Sequence, residues 1–320
     1  MLPFHQAVAS DFELVNACII RQLHSEVGLV ESIGHYLIEA GGKRLRPLLV
    51  LLVAKTLGYE GSRHIDLAAI IEFIHTATLL HDDVVDVSSL RRGRLTANAQ
   101  WGNAPAVLVG DFLYSRAFQM LVELGSMEIM AILSNTTNII SEGEVQQLVN
   151  AKNPDVTEEN YQRVIHKKTA ALFEAACEAG AVLAGATPAQ RQAAHSFGQH
   201  LGMAFQLVDD ALDYSGDAEA LGKNLGDDLA EGKPTLPLIY AMRTGSEAER
   251  TLIRKAIEEG SGEQLQEILA IIQRTGALTY TQERAEYHAA QAQQFLNQLP
   301  HNPYAQALAD LTAFSVTRNH

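Results

Sequence analysis

Apolar residues recur at i, i+3 and i+4 through most of this chain, and few stretches show the period-two alternation of a half-buried strand. The pattern predicts an all-α protein. Prolines stand only at 3, 47, 105, 154, 188, 234, 237, 300 and 303, which favours long helices joined by short turns. Two helix starts are explicit: Thr187-Pro188-Ala189-Gln190 is a capping box with proline at the first helical position, and Asn103-Ala104-Pro105 opens the run AVLVGDFLYSRAFQMLVEL. The segments LAAIIEFIHTATLL (67–80) and HLGMAFQLV (200–208) are apolar on more than one face, as helices at the centre of a bundle are. Loop-like composition marks 88–104, 150–157 and 214–237, and the last holds Gly216, Gly222, Gly226 and Gly232 among charges, as a lid over a site would. No linker interrupts the pattern, so residues 1–320 read as one domain. Residues 241–320 read as further amphipathic helices without recognisable chemistry.

Composition removes several classes of function. A hydrophobic content of 47% with 19% charged residues supports a large core and excludes disordered or fibrous chains. The 24 Lys and Arg residues are outnumbered by 38 Asp and Glu, and a net charge of −14 repels nucleic acid and anionic membrane. Cys18 and Cys177 are too few and too far apart for a disulfide framework and read as buried free thiols, which suits a reducing cytoplasm. The N-terminal segment has no Lys or Arg before Arg21 and no apolar core, so it is no secretory signal, and no window of about 18 apolar residues offers a membrane span.

Two acidic runs of identical layout carry the chemistry: Asp82-Asp83-Val84-Val85-Asp86 and Asp209-Asp210-Ala211-Leu212-Asp213. Residues i and i+4 share a helix face, so Asp82 with Asp86, and Asp209 with Asp213, are placed to offer oxygens to a common cation. Carboxylates without thiolates select a hard ion, and magnesium takes one or two carboxylates together with phosphate oxygens from a substrate. A single run of this kind reads most simply as a solvated helix face. Two, each following an apolar stretch, would repel internally unless a cation neutralised them. The basic residues are grouped as well, in Gly41-Gly42-Lys43-Arg44-Leu45-Arg46-Pro47 and Arg91-Arg92-Gly93-Arg94. Arginines beside a glycine turn suit a diphosphate, because guanidinium donates in bidentate fashion and glycine lets the backbone approach. Lys168-Thr169, Gln206, Lys223 and Lys233 are further candidates, and His75 lies two helical turns before Asp82 on the same side.

Taken in order, GGKRLRP, LLHDDVVD, LRRG, KT and FQLVDDALDY…LGKNLGDDLAEGKPTLP resemble the trans-isoprenyl diphosphate synthase family, and in detail its bacterial octaprenyl type. The similarity runs from about residue 30 to 240 with specific motifs and continues more weakly to the C-terminus. It implies an all-helical isoprenoid synthase bundle around a central cavity, usually a homodimer, that joins isopentenyl diphosphate to an allylic diphosphate for a quinone side chain. By this resemblance Asp82, Asp86 and Asp209, supported by Asp83, Asp210 and Asp213, hold magnesium that bridges to the allylic diphosphate. Arg91, Lys168, Thr169, Gln206, Lys223 and Lys233 hold that same group, while Lys43, Arg46, His75 and Arg92 bind isopentenyl diphosphate. Asp111 and Asp228 also match the family but acquire no physical role from the sequence.

Ionising an allylic diphosphate gathers negative charge on the leaving group, so metals and cationic side chains are needed at one end and a dry cavity beside them. Ala77 and Thr78 precede Asp82 by five and four residues, about 6–8 Å along a helix at 1.5 Å per residue. Their small size leaves room for a tail to continue past Ile74, Ile71 and Leu67, with Met120, Leu121, Met130 and Leu133 as candidates for the floor. In the family, two residues between the second and third Asp of the first run, where short-chain bacterial members commonly have four, again imply a long product. Forty carbons is the expectation and forty-five remains open. Three rivals stand: a helical metal phosphohydrolase using His81 and Asp82, a non-catalytic subunit of a two-component synthase, and a terpene cyclase. Each leaves part of the paired acidic and basic groups without a use.

Overall fold

The structure is a computed structural model that describes residues 3–215 and 225–318. Lys223, with Gly216 and Gly222, lies outside the described residues. Helices α1 (Pro3–Gln6), α2 (Ala9–Gln22), α3 (Gly28–Glu39) and α4 (Leu45–Thr56) lead to the long α5 (Arg63–Val85). Strands β1 (Leu90–Arg91) and β2 (Arg94–Leu95) are followed by α6 (Ala97–Trp101), α7 (Asn103–Leu124), α8 (Met127–Asn150) and α9 (Glu158–Ile165). After a π-helical turn over His166–Ala170 come α10 (Ala171–Leu183) and α11 (Pro188–Ser215), then α12 (Asp227–Ala230) and α13 (Leu236–Thr244). The chain ends with α14 (Glu247–Glu259), α15 (Leu265–Thr275), α16 (Ala277–Leu296) and α17 (Pro303–Thr317).

Local chemistry accounts for the boundaries. At the start of α11, Thr187 Oγ1 accepts from the Gln190 N–H at 3.3 Å and Gln190 Oε1 accepts from the Thr187 N–H at 3.0 Å, so the capping box forms as its sequence predicts. α7 takes Pro105 in its first turn. The segment expected as a loop over 88–104 instead contains an antiparallel hairpin, Leu90 opposite Leu95 and Arg91 opposite Arg94, and the short α6. Its two-residue turn, Arg92-Gly93, has φ of 53° and 72°, the mirror-image turn geometry whose twist matches paired strands.

The chain forms two compact units. The first comprises Met1–Thr137, Leu172–Gly198 and Gln293–Leu311. Its centre is α4, where every residue from Leu48 to Ala54 has zero exposure, and α5, where Leu67–Ile71 are equally buried. Both helices are apolar around their circumference, which explains their interior position. α10 lies close against α4, since a Cβ on Gly180 would stand 3.1 Å from the Val50 carbonyl oxygen. The second unit comprises Asn138–Ala171, Gln199–Ala292 and Thr312–His320. One of its cores joins Tyr214, Leu229, Leu238, Ile253, Ile257 and Ile272; another joins Tyr161, Ile165, Met203, Leu207, Leu236 and Ile239. Cys18 and Cys177 are buried free thiols, with burial pushing the Cys18 thiol up to about 11. Among the described residues no helix is long and apolar enough to cross a membrane.

Candidate active site

In the first unit, the leading acidic run occupies the last turn of α5, which carries no basic residue there. A helix C-terminus already bears partial negative charge, so three carboxylates at that end raise a local demand for cations. The three are not equivalent. Asp83 is buried, and its Oδ1 accepts from Arg91 Nε at 2.9 Å and Nη2 at 2.7 Å. Burial pushes its carboxyl above the usual carboxylate range, and Arg91 offsets part of the rise. Arg91 therefore closes the loop after α5 by gripping Asp83, while Asp82 and Asp86 remain partly exposed. Asn98 Nδ2 adds a bond to the Asp83 carbonyl at 3.2 Å. His81 Nε2 lies 3.1 Å from the Val107 carbonyl and 3.3 Å from Asp111 Oδ1, which gives Asp111 a structural partner and engages the nitrogen a phosphohydrolase would turn to metal.

The opposite polarity is built at the start of α4. Its first turn has no acidic residue, its N-cap Arg44 makes no side-chain cap, and Lys43, Arg44 and Arg46 cluster at this positive helix end. The positive end of the helix dipole and these side chains concentrate positive charge at one place. Arg44 reaches φ 44°, a left-handed conformation that non-glycine residues seldom adopt. Arg46 Nη1 donates to His75 Nε2 at 3.2 Å, and its guanidinium lies 4.6 Å from the Phe173 ring centroid. Arg92 Nη1 bonds the Gly41 carbonyl, and a Cβ on Gly42 would meet Arg92 Nη1 at 2.5 Å, so the two glycines admit the arginine. The structure thus gathers Arg46, His75 and Arg92, three of the four residues that the family resemblance assigns to one ligand. The Lys43 carbonyl accepts from His5 Nε2 at 3.0 Å. Burial, reinforced by Arg46, Arg92 and Arg91, holds His75 well below its ordinary pKa, so its imidazole is neutral and accepts from Arg46.

In the second unit, the other acidic run lies at the end of α11, again without a basic residue in the last turn. Asp210 is buried and accepts from Tyr161 Oη at 2.5 Å and from Gln206 Nε2 at 2.7 Å, while Gln206 Oε1 accepts from Thr169 Oγ1 at 2.8 Å. Burial, then Asp228, lifts the Asp210 carboxyl well above the ordinary range. Asp213 has zero exposure and accepts the Asp228 N–H at 3.2 Å, which supplies the role for Asp228 that the sequence lacked. The expected i, i+4 pairing of Asp209 and Asp213 toward one cation is therefore replaced by a division: Asp213 faces inward and Asp209 outward. Lys168, in the π turn, pairs with Glu144 at 2.8 Å, and Lys233 pairs with Glu231.

A family model described as polyprenyl synthetase matches residues 27–274. The chain belongs to the polyprenyl synthetase family. The Escherichia coli (strain K12) octaprenyl diphosphate synthase is 52% identical over 316 residues, covering 98% of this chain and 98% of that protein. An all-trans-nonaprenyl-diphosphate synthase (geranyl-diphosphate specific) of Rhodobacter capsulatus is 50% identical over 97% of this chain and 96% of its own. The crystal structure of a polyprenyl synthase from Caulobacter crescentus CB15, complexed with calcium and isoprenyl diphosphate, superposes with a TM-score of 0.96 at 43% identity, covering 99% of this chain and 97% of that one.

As a polyprenyl synthetase, the protein is a prenyltransferase that builds long trans-polyprenyl diphosphates. In this synthase Ala77 is 1% exposed on α5, with Ile74, Ile71 and Leu67 at zero below it, and Thr78 Oγ1 is spent on the His75 carbonyl at 2.7 Å. Met120, Leu121 and Leu133 are buried in the same unit and Met130 partly so. Sequence reasoning missed two groups. Glu72 is the one acidic residue in the apolar run 67–80, a legible signal; Arg44, Arg46 and Arg92 surround it while burial raises its pKa. Tyr161 carries no local signal, because its partner Asp210 is distant in sequence.

Proposed function

We propose that this synthase makes octaprenyl diphosphate by magnesium-dependent, head-to-tail addition of isopentenyl diphosphate to farnesyl diphosphate. The reading rests above all on the placement of charge: both acidic runs end long helices with no basic residue in the last turn, and the basic cluster opens a helix with no acidic one. Each arrangement is unfavourable alone and is relieved by a ligand of opposite sign. The donor set fits magnesium, because carboxylates without thiolates suit a hard cation that completes its shell with water and substrate phosphate. Asp82, Asp86 and Asp209 are its proposed ligands; Asp83, Asp210 and Asp213 keep them in place.

Magnesium bound there would neutralise charge developing on the departing diphosphate. Lys168, Lys223 and Lys233 add positive charge for the allylic diphosphate, Arg91 acts beside them through Asp83, and Thr169 and Gln206 orient Asp210. Arg46, His75, Arg92 and Lys43 hold isopentenyl diphosphate, whose double bond attacks the prenyl carbon. The last proton is assigned to the departing diphosphate. We further propose a cytoplasmic homodimer that supplies a quinone side chain. Purified protein incubated with farnesyl diphosphate, labelled isopentenyl diphosphate and magnesium should yield a forty-carbon extracted lipid. A forty-five-carbon product would correct the length, and carbon label recovered only as the five-carbon alcohol, its phosphate released, would overturn the function.

A further inference from the structure

The segment read from sequence as devoid of chemistry sends one side chain into the second acidic run. Arg318, just past α17, is 8% exposed, and its Nη2 lies 2.6 Å from Asp209 Oδ1. The same nitrogen donates to the Phe205 carbonyl at 2.7 Å, Nε donates to the Ser315 carbonyl at 3.4 Å, and the guanidinium carbon stands 3.8 Å from the Phe205 ring centroid. Phe205 and Asp209 are i and i+4 on α11, so one planar group reads one helix face at two levels. All of these residues belong to the second unit.

We propose that Arg318 is a positioning residue for metal binding by Asp209, an inference that rests on the magnesium role given to that carboxylate above. A guanidinium stays charged at any ordinary pH, and this one is desolvated, so it requires a carboxylate partner. If a metal took both oxygens of Asp209, Arg318 would be left buried and unpaired. The pair therefore persists on metal binding, Oδ1 stays with Arg318, and Oδ2, which has no protein partner among the described residues, is the atom presented outward. Arg318 also fixes the side chain in one orientation before the ion arrives. Outer partners of this kind change metal affinity by about 10–100-fold when removed.

The test is Mn2+ binding in the presence of inorganic pyrophosphate, followed by the electron paramagnetic resonance of free Mn2+, beside steady-state kinetics of the full chain. Arg318→Gln should weaken Mn2+ binding about tenfold and raise the magnesium needed for half-maximal rate by a similar factor, with the KM for isopentenyl diphosphate unchanged. Arg318→Lys, which keeps the charge but not the fork, should recover part of the loss and carries the test if the glutamine variant does not fold. In an Asp209→Asn background the Arg318→Gln change should add nothing. Unchanged or tighter Mn2+ binding by both Arg318 variants, while Asp209→Asn is defective, would overturn the role of Arg318 alone. Full Mn2+ binding and activity in Asp209→Asn would instead overturn the metal assignment beneath it.

Discussion

Asp82 and Asp83 are neighbours of one type, yet the fold gives them different surroundings, and the difference is measurable. Asp83 is buried against Arg91. Replacing it with asparagine leaves the guanidinium without its partner; because Arg91 is 36% exposed, solvent screens part of the loss, and a destabilisation of about 1–2 kcal/mol is expected in denaturant melts. Asp82→Asn should behave differently. It leaves the Asp83–Arg91 pair in place, so stability should change by less than about 1 kcal/mol while turnover falls by about 100-fold. Equal destabilisation by both substitutions would contradict the division of labour. The sequence displays the pair as Asp-Asp and gives both the same expected metal chemistry. Which of the two turns inward depends on the chain folding back at Arg92-Gly93 to bring Arg91 against α5, and periodicity carries no trace of that event.

At the scale of the helix, α5 couples the site to its interior. Ala77 is buried five residues before Asp82, on the helix segment that also buries Ile74, Ile71 and Leu67, so an aromatic ring there has to displace packed neighbours. Under the proposed function, Ala77→Tyr should shorten the products seen by reversed-phase chromatography of the extracted lipid, at an overpacking cost of about 1–3 kcal/mol that a thermal melt checks; unchanged length would remove Ala77 from chain-length control. The docking of α16 on α11 makes a second prediction. His200 Nδ1 and His288 Nδ1 stand 2.9 Å apart, with Tyr287 edge-on to His288 and Arg284 nearby. Burial, then His200 and Arg284, lowers the His288 pKa to about 4. A histidine whose folded pKa is below its unfolded value of about 6.5 takes up a proton on unfolding, so its contribution is intact above pH 6.5 and declines as pH falls toward 4. His288→Gln should therefore flatten the fall in melting temperature between pH 6.5 and 5, worth about 1–2 kcal/mol at pH 5. A parallel fall in both proteins would exclude the pair as the cause. Helices are the legible part of this chain: 3.6-residue periodicity and the Thr187 cap recover α11, and the all-round apolar character of 67–80 predicts the interior position of α5. The contacts of Arg318 and Tyr161 are not legible, since each joins residues far apart in sequence through geometry that only the packed helices define.

For the molecule as a whole, the chemistry and the solvent make opposing demands. The protein carries a net charge of −14, while its proposed product has a forty-carbon tail. Each buried methylene contributes about 0.8 kcal/mol against transfer to water, so every added five-carbon unit makes release slower while leaving the condensation step itself unchanged. Turnover should then be limited by departure of the lipid, a common position for a rate-limiting step when the chemistry is well organised. A rapid-quench experiment should show a first-turnover burst faster than the steady state. Zwitterionic vesicles, which accept the tail without repelling the protein, should raise the steady-state rate and leave the burst amplitude and rate unchanged. Anionic vesicles should help less at low salt, because like charges keep the acidic protein from their surface, and the gap should narrow near 0.1 M salt, where charges about 10 Å apart are largely screened. Vesicles that accelerate the burst itself would place the lipid effect on substrate entry. No burst at all would place the slow step in the condensation, the step proposed for the carboxylates and arginines.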